Sequence, residues 1–270
     1  MTSNRLVALV RLCGFLAWTL LAMGPYLVLL ALRAPAYARY MQRYFRVVVR
    51  LCGFRVRTRG RLARQAGPTL YVANHASYLD ILLLGSVIRG NFVAKAEVAG
   101  WPGVGFLASI ARTVFIARKR GAAAGERDAL ARRLAAGDSL ILFPEGTSDD
   151  GNRVLSFKSA LFAVAEMPGP DGAPLPVQPV SIAYTRLDGM PLCRALRPFY
   201  AWYGDMTLAG HLFTVLGLGE VEVEVIFHPP VRLGDFPDRK ALCNHCHDLV
   251  SSGVVQALAG RLDGPVAVAH

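Results

Sequence analysis

The first 64 residues of this 270-residue chain contain no lysine, aspartate or glutamate, yet they hold twelve arginines. The formal charge of +11 comes wholly from this stretch, because residues 65–270 carry eighteen basic against nineteen acidic groups. Such one-sided crowding excludes the broad basic face that marks a nucleic-acid binder, and no nucleic acid is expected as a partner. Cysteine is scarce too. Five residues, at 13, 52, 193, 243 and 246, are odd in number and scattered, which excludes a disulfide framework. No second C-x-x-C stands beside Cys243-Asn244-His245-Cys246-His247, so this run reads as part of a C-terminal helix over 238–258 rather than a zinc or haem site, and neither metal nor cofactor is expected. The chain also lacks internal repeats, low-complexity tracts and the G-x-S-x-G elbow that would supply a serine nucleophile.

What the N-terminus does have is 21 residues, Leu12 to Leu32, without a charged side chain. That length crosses a hydrocarbon core as a helix. Gly24-Pro25 is expected to break the run in the middle, which leaves two readings open, a single spanning helix or a helical hairpin dipping into one leaflet. A cleaved signal peptide, for which Arg5 and Ala36-Tyr37-Ala38 would be suited, is opposed by the length of the apolar run and by the arginines that follow it. Ten arginines between positions 33 and 64 put the following domain on the cytoplasmic face of an inner membrane, against anionic headgroups, with the protein monotopic or single-pass. An ordinary solvated basic surface is the alternative. Residues 1–64 thus read as a membrane-associated segment and 65–270 as one domain, long enough to bury its own core.

Beyond residue 64, short β-branched runs alternate with helical stretches. Strands are expected over 69–73, 91–95, 113–117, 139–143, 177–184 and 221–227, and helices over 81–88, 101–110 and 126–136. Alternation of this kind predicts an α/β fold with a mixed, largely parallel sheet flanked by helices, and such sheets bind ligands at the carboxyl ends of their strands. In 221–227, Val221, Val223 and Val225 alternate with Glu222 and Glu224, the pattern of a strand with one face buried and one wet. The apolar stretch 206–218 reads as a core helix, with a second membrane-touching surface as the alternative, and the Gly/Pro-rich 167–176 as an exposed loop.

The chemistry centres on Asn74-His75-Ala76-Ser77-Tyr78-Leu79-Asp80. A histidine takes and returns a proton near neutrality, and a carboxylate bonded to one ring nitrogen fixes its tautomer. On a regular helix five residues advance about 500°, leaving His75 and Asp80 about 140° apart, so His75 is expected in the turn before the helix. With no nucleophile of its own, a histidine so equipped activates a hydroxyl brought in by a substrate, which is acyl transfer to an alcohol.

Four blocks occur in order: His75 with Asp80 as H-x4-D, Val114-Phe115-Ile116-Ala117-Arg118, Phe143-Pro144-Glu145-Gly146-Thr147, and Val177-Gln178-Pro179-Val180. Together they resemble the glycerolipid and lysophospholipid acyltransferases, and the likeness covers most of the chain. The resemblance implies His75 and Asp80 as the catalytic pair, Arg118 pairing with an acceptor phosphate, and Glu145, Gly146 and Thr147 holding the glycerol and polar headgroup. Lys95 and Lys158, in Ala94-Lys95-Ala96-Glu97 and Ser156-Phe157-Lys158, sit in family-like segments and join the candidate binding residues. The implied partners are an acyl carrier protein or coenzyme A thioester as donor and a lysolipid as acceptor. A non-catalytic lipid-binding scaffold is the reading from another class. The family's weight and Arg118 favour lysophosphatidate, 1-acyl-glycerol-3-phosphate, as that acceptor. Against it, Ser148-Asp149-Asp150 stands where many phosphate-accepting relatives carry an arginine, and this stretch with Ala201-Trp202-Tyr203-Gly204-Asp205-Met206 resembles a branch that includes lyso-ornithine lipid acyltransferases, whose acceptor bears an ammonium.

Overall fold

The computed structural model describes residues 3–32, 36–63, 67–101, 104–116, 123–168, 172, 174–262 and 267–268. In chain order the elements are α1 (Arg5–Ala31), α2 (Tyr37–Leu51), β1 (Phe54–Gly60), β2 (Leu70–Ala73), α3 (Leu79–Val87), β3 (Asn91–Lys95), α4 (Val104–Ile110), β4 (Val114–Ile116), α5 (Ala123–Ala135), β5 (Leu140–Leu142), β6 (Val177–Leu187), β7 (Met190–Pro191), α6 (Leu208–Leu216), β8 (Val221–Phe227), α7 (Arg239–Leu258) and β9 (Ala267–Val268).

Among the described residues the strands form one sheet of order β4-β3-β5-β2-β6-β8-β1-β9, with β7 paired to β6. From β4 to β6 every pairing is parallel. β8 runs antiparallel to β6 and parallel to β1, which gives the mixed, largely parallel sheet that the alternation of elements predicts. Strands β2 and β5, apolar at every position and buried throughout, take central places, because a strand covered on both faces has no wet side for polar residues. β1 comes from the arginine-rich first 64 residues, yet it is an interior strand between β8 and β9.

Two expectations are corrected. The first is the break at Gly24-Pro25. α1 is capped at Asn4 and continues through Pro25 to Ala31. The Tyr40 hydroxyl donates to the Ala22 carbonyl (3.0 Å), and that of Tyr26 to the Ile110 carbonyl (2.8 Å), so neighbouring elements hold the helix on both sides of the proline and offset the bond it removes. A helical hairpin does form, but between α1 and α2. Trp18 donates to the carbonyl of Tyr44 and Tyr40 to that of Ala22, an antiparallel register. The N-terminal end of α1 is pinned to the domain by Arg11, which donates to the carbonyls of Leu216 and Leu218 at the end of α6 (3.1 and 2.6 Å). By length and composition α1 could cross a membrane, and Leu6, Leu20 and Leu21 on it are each at least 70 % exposed.

The second correction concerns β8. Glu222 and Glu224 are buried, not wet. Because β8 lies inside the sheet, Arg57 and Arg59 on neighbouring β1 reach the two carboxylates at 3.1 and 3.0 Å, and their long stems cover that face. The stretch 206–218 contributes α6, which packs along α1 and buries Val215 and Leu216. On α7, Cys243 and Cys246 point into the core, and burial pushes the Cys246 thiol up to about 12, the behaviour of small apolar side chains.

Candidate active site

His75 leaves the carboxyl end of β2 and, as its spacing to Asp80 requires, sits in the turn before α3, with Asp80 in the first helical turn. Asn74 anchors this turn: its side-chain amide donates to the Ile182 carbonyl (3.0 Å) and accepts from the Ile182 N–H (2.8 Å), tying the end of β2 to β6. Asp80 is the hub. One carboxylate oxygen accepts from His75 Nδ1 (3.0 Å) and from the N–H groups of Ala76 (2.7 Å) and Ser77 (2.9 Å), and the other accepts the hydroxyl of Tyr184 on β6 (2.8 Å). Burial first, and the Asp80 charge second, push the Tyr184 phenol well above its ordinary value, so it remains a donor. Every contact here orders the carboxylate before substrate arrives. The His75 side chain is 20 % exposed and that of Asp80 1 %, so the histidine opens to a cleft and its partner does not.

The imidazole lies flat on Phe143, with ring centroids 4.1 Å apart and 18° between planes, and Phe143 stacks in turn on Phe92. Phe143 follows β5 directly, and the chain then turns through Gly146 at φ +70, a conformation glycine adopts without strain. This turn brings Gly146 and Thr147 into a cleft of about 420 Å³ that His75, Tyr78, Lys95, Glu97, Trp101 and Trp202 also line.

Of the residues singled out in the sequence, His75, Lys95, Gly146 and Thr147 meet in this cleft, with Asp80 behind His75. Glu145 does not face it. Its side chain is buried, and its two oxygens accept the N–H groups of His75 (2.7 Å) and Leu155 (2.8 Å), so it braces the histidine turn from behind. Lys158 is exposed outside the cleft lining, where its N–H donates to the Pro144 carbonyl (2.9 Å). Arg118 lies outside the described residues. Asp149 pairs with Arg153 (2.9 Å) and Asp150 with Asn152, and neither aspartate lines the cleft. The residues that sequence reasoning missed are Tyr184, Tyr78 and Trp101. None belongs to a block by its side-chain chemistry, and Tyr184 is 104 positions from the carboxylate it serves.

Burial pushes the Glu145 carboxyl up to about 8, against the two backbone bonds, which pull it down. The folded chain therefore keeps a proton that the unfolded chain gives up near 4.5, and stability from this group is present below that pH and lost as pH rises through about 8. Glu145→Gln presents an amide N–H₂ to one of two N–H donors. It should cost about 1–3 kcal/mol at pH 5. Thermal melts from pH 5 to 9 should show the wild-type advantage over Glu145→Gln shrinking as pH rises, and a constant difference would refute the raised carboxyl.

A histidine bonded to a buried carboxylate at the carboxyl ends of a largely parallel sheet, beside an open cleft, defines the class: an α/β protein with a pair suited to proton transfer. A family model described as Acyltransferase matches residues 55–183. The lyso-ornithine lipid O-acyltransferase of Brucella abortus (strain 2308) is 45 % identical over 221 residues, covering 81 % of this chain and 82 % of that one. The 1-acyl-sn-glycerol-3-phosphate acyltransferase of Neisseria gonorrhoeae is 32 % identical over 179 residues, 64 % of each chain. In fold, the chain is similar to the crystal structure of the 1-acyl-sn-glycerophosphate acyltransferase PlsC from Thermotoga maritima, with a TM-score of 0.69, 22 % identity and coverage of 97 % and 98 %. The chain belongs to the acyltransferase family and is an acyltransferase.

Proposed function

We propose that this chain is a membrane-associated O-acyltransferase that moves a fatty acyl group from an acyl carrier protein or coenzyme A thioester to the free hydroxyl of a lyso-ornithine lipid. The chemistry is carried by one observation, the His75 ring that opens to the cleft while its Nδ1 is held by a buried, fully hydrogen-bonded Asp80. With Nδ1 donating to the carboxylate, Nε2 is the nitrogen that takes the hydroxyl proton. The resulting oxygen attacks the thioester carbonyl, a new ester C–O bond forms as the C–S bond breaks, and the proton passes from Nε2 to the departing thiolate. The stack on Phe143 fixes the plane in which that proton moves.

An apolar cavity of about 370 Å³ between the α1–α2 hairpin, α3, β3 and α4 supports a place for the acyl chain, since it shares Ile81, Phe92, Ala94 and Val98 with the catalytic cleft. The outward leucines of α1 and the arginines of α2 support membrane association through the hairpin, with the catalytic domain on the cytoplasmic face of the inner membrane, where fatty acyl thioesters are made.

The acceptor assignment reverses the order that the four blocks alone favoured. Two observations support the change: the 45 % identity to a lyso-ornithine lipid enzyme against 32 % to a lysophosphatidate one, and a cleft that carries Glu97 as well as Lys95, suited to a headgroup with both an ammonium and a carboxylate. With lyso-ornithine lipid and lysophosphatidate supplied at matched concentration and one acyl thioester, kcat/KM should favour lyso-ornithine lipid by about tenfold or more. Equal use, or preference for lysophosphatidate, would return the assignment to the phosphate acceptor.

A further inference from the structure

Three aromatic rings from separate parts of the chain meet in the catalytic cleft. Tyr78 precedes α3, Trp101 follows the turn Ala96–Gly100, and Trp202 lies between β7 and α6. Trp202 stands in the middle, 5.9 Å from Tyr78 at 75° and 5.5 Å from Trp101 at 73°. The polar handles of Tyr78 and Trp202 are taken up by partners within the chain. The Tyr78 hydroxyl bonds to His211 Nδ1 (3.0 Å), and Trp202 donates its backbone N–H to the Ala76 carbonyl (2.8 Å) and its indole N–H to that of Met206 (2.9 Å). Burial pushes His211 below its ordinary value, so the ring behind Tyr78 is uncharged near neutrality. What remains for the cleft is ring surface, and Trp101, at 37 % exposure, is not explained by core packing. Glu97, four residues before Trp101, lines the same cleft.

Perpendicular aromatic faces with a nearby carboxylate attract a cation by the ring quadrupole and by charge, and they offer nothing to a phosphate. Resting on the lyso-ornithine reading of the acceptor, we propose that Tyr78, Trp101 and Trp202 form an aromatic box that takes the ammonium of the acceptor headgroup, with Glu97 as its counter-charge. Lys95 is then free for the headgroup carboxylate. The box makes selection of the acceptor a matter of headgroup charge, read beside the base that acts on its hydroxyl.

The test uses the full chain in phospholipid vesicles with one acyl thioester and two acceptors, lyso-ornithine lipid and the same molecule N-acetylated on its free amine. Acetylation keeps the hydroxyl and the chain and removes the charge without touching the protein. Wild type should prefer the free amine by about tenfold in kcat/KM, mostly through KM. Trp101→Leu, at an exposed edge where folding is not at stake, should shrink that ratio to less than about threefold, and Glu97→Gln should lower it as well. If wild type uses both acceptors equally, or if the preference survives in both variants, the box is overturned while the acceptor reading stands. If neither amine-derived lipid is acylated and lysophosphatidate is, the acceptor reading itself fails and takes the box with it.

Discussion

Replacing His75 with alanine is expected to lower acyl transfer by about three orders of magnitude while leaving the fold intact. The two halves of this expectation come from different atoms of the same residue. The ring supplies Nε2, and no other described side chain in the cleft combines a titratable nitrogen with a buried carboxylate behind it. The backbone supplies the structure, because the bond that braces the turn runs from the His75 N–H to Glu145 and survives truncation. Losing the ring also uncovers one face of Phe143, a cost of about 1 kcal/mol that an α/β core of this size absorbs. Thioester consumption by membranes carrying the variant, set beside its thermal melt, makes the measurement. A folded His75→Ala enzyme with wild-type turnover would remove His75 from the reaction.

The parts of this molecule that could be read from the sequence are those governed by local rules. Asn91–Lys95 and Val221–Phe227 are strands at the expected residues because β-branched and aromatic runs bounded by turns leave little choice. Asp238 caps α7 as a side chain accepting the Ala241 N–H, and the C-x-x-C-H run falls inside that helix. The His75–Asp80 pair was legible because proton transfer near neutrality needs histidine and a partner within reach, and the structure brings the two into hydrogen-bond contact. What escaped depends on distant neighbours. Alternation in β8 marks two faces, but whether the second meets water depends on which strand lies beside it, and β1 brings Arg57 and Arg59 there from 165 positions away. Glu145 sits in a block whose glycine and threonine do face the cleft, and nothing local tells which way its own side chain turns. The burial that hides it is contributed by the histidine turn and by Leu155. The Gly24-Pro25 break failed for the same reason: a proline ends a helix only when nothing else holds the helix together, and here Tyr40 and Tyr26 do.

Asp80→Asn should cost roughly a hundredfold in turnover without unfolding the protein, whereas Asp80→Ala should cost several kcal/mol of stability as well. The difference lies in who donates to Asp80. Three N–H groups, from His75, Ala76 and Ser77, converge on one oxygen, and none of them is able to reverse its role while His75 keeps a proton on Nδ1. On the other side stands the Tyr184 hydroxyl, which donates or accepts with equal ease. An asparagine therefore turns its carbonyl toward the three donors and its amide toward Tyr184, and every bond is kept. The two backbone N–H groups thus protect the histidine tautomer, and the substitution removes only the negative charge that steadies the imidazolium as the hydroxyl is deprotonated, worth about 3 kcal/mol for a charge-assisted contact in a dry site. Alanine leaves all four donors without an acceptor in a buried site. Asp80→Asn should therefore melt close to wild type, and the same melt reads which way the asparagine sits. A loss of several kcal/mol in that melt would show that the asparagine sits the other way round, its N–H₂ against three N–H donors, and the loss of turnover should then approach that of His75→Ala, since the histidine would hold its proton on the wrong nitrogen.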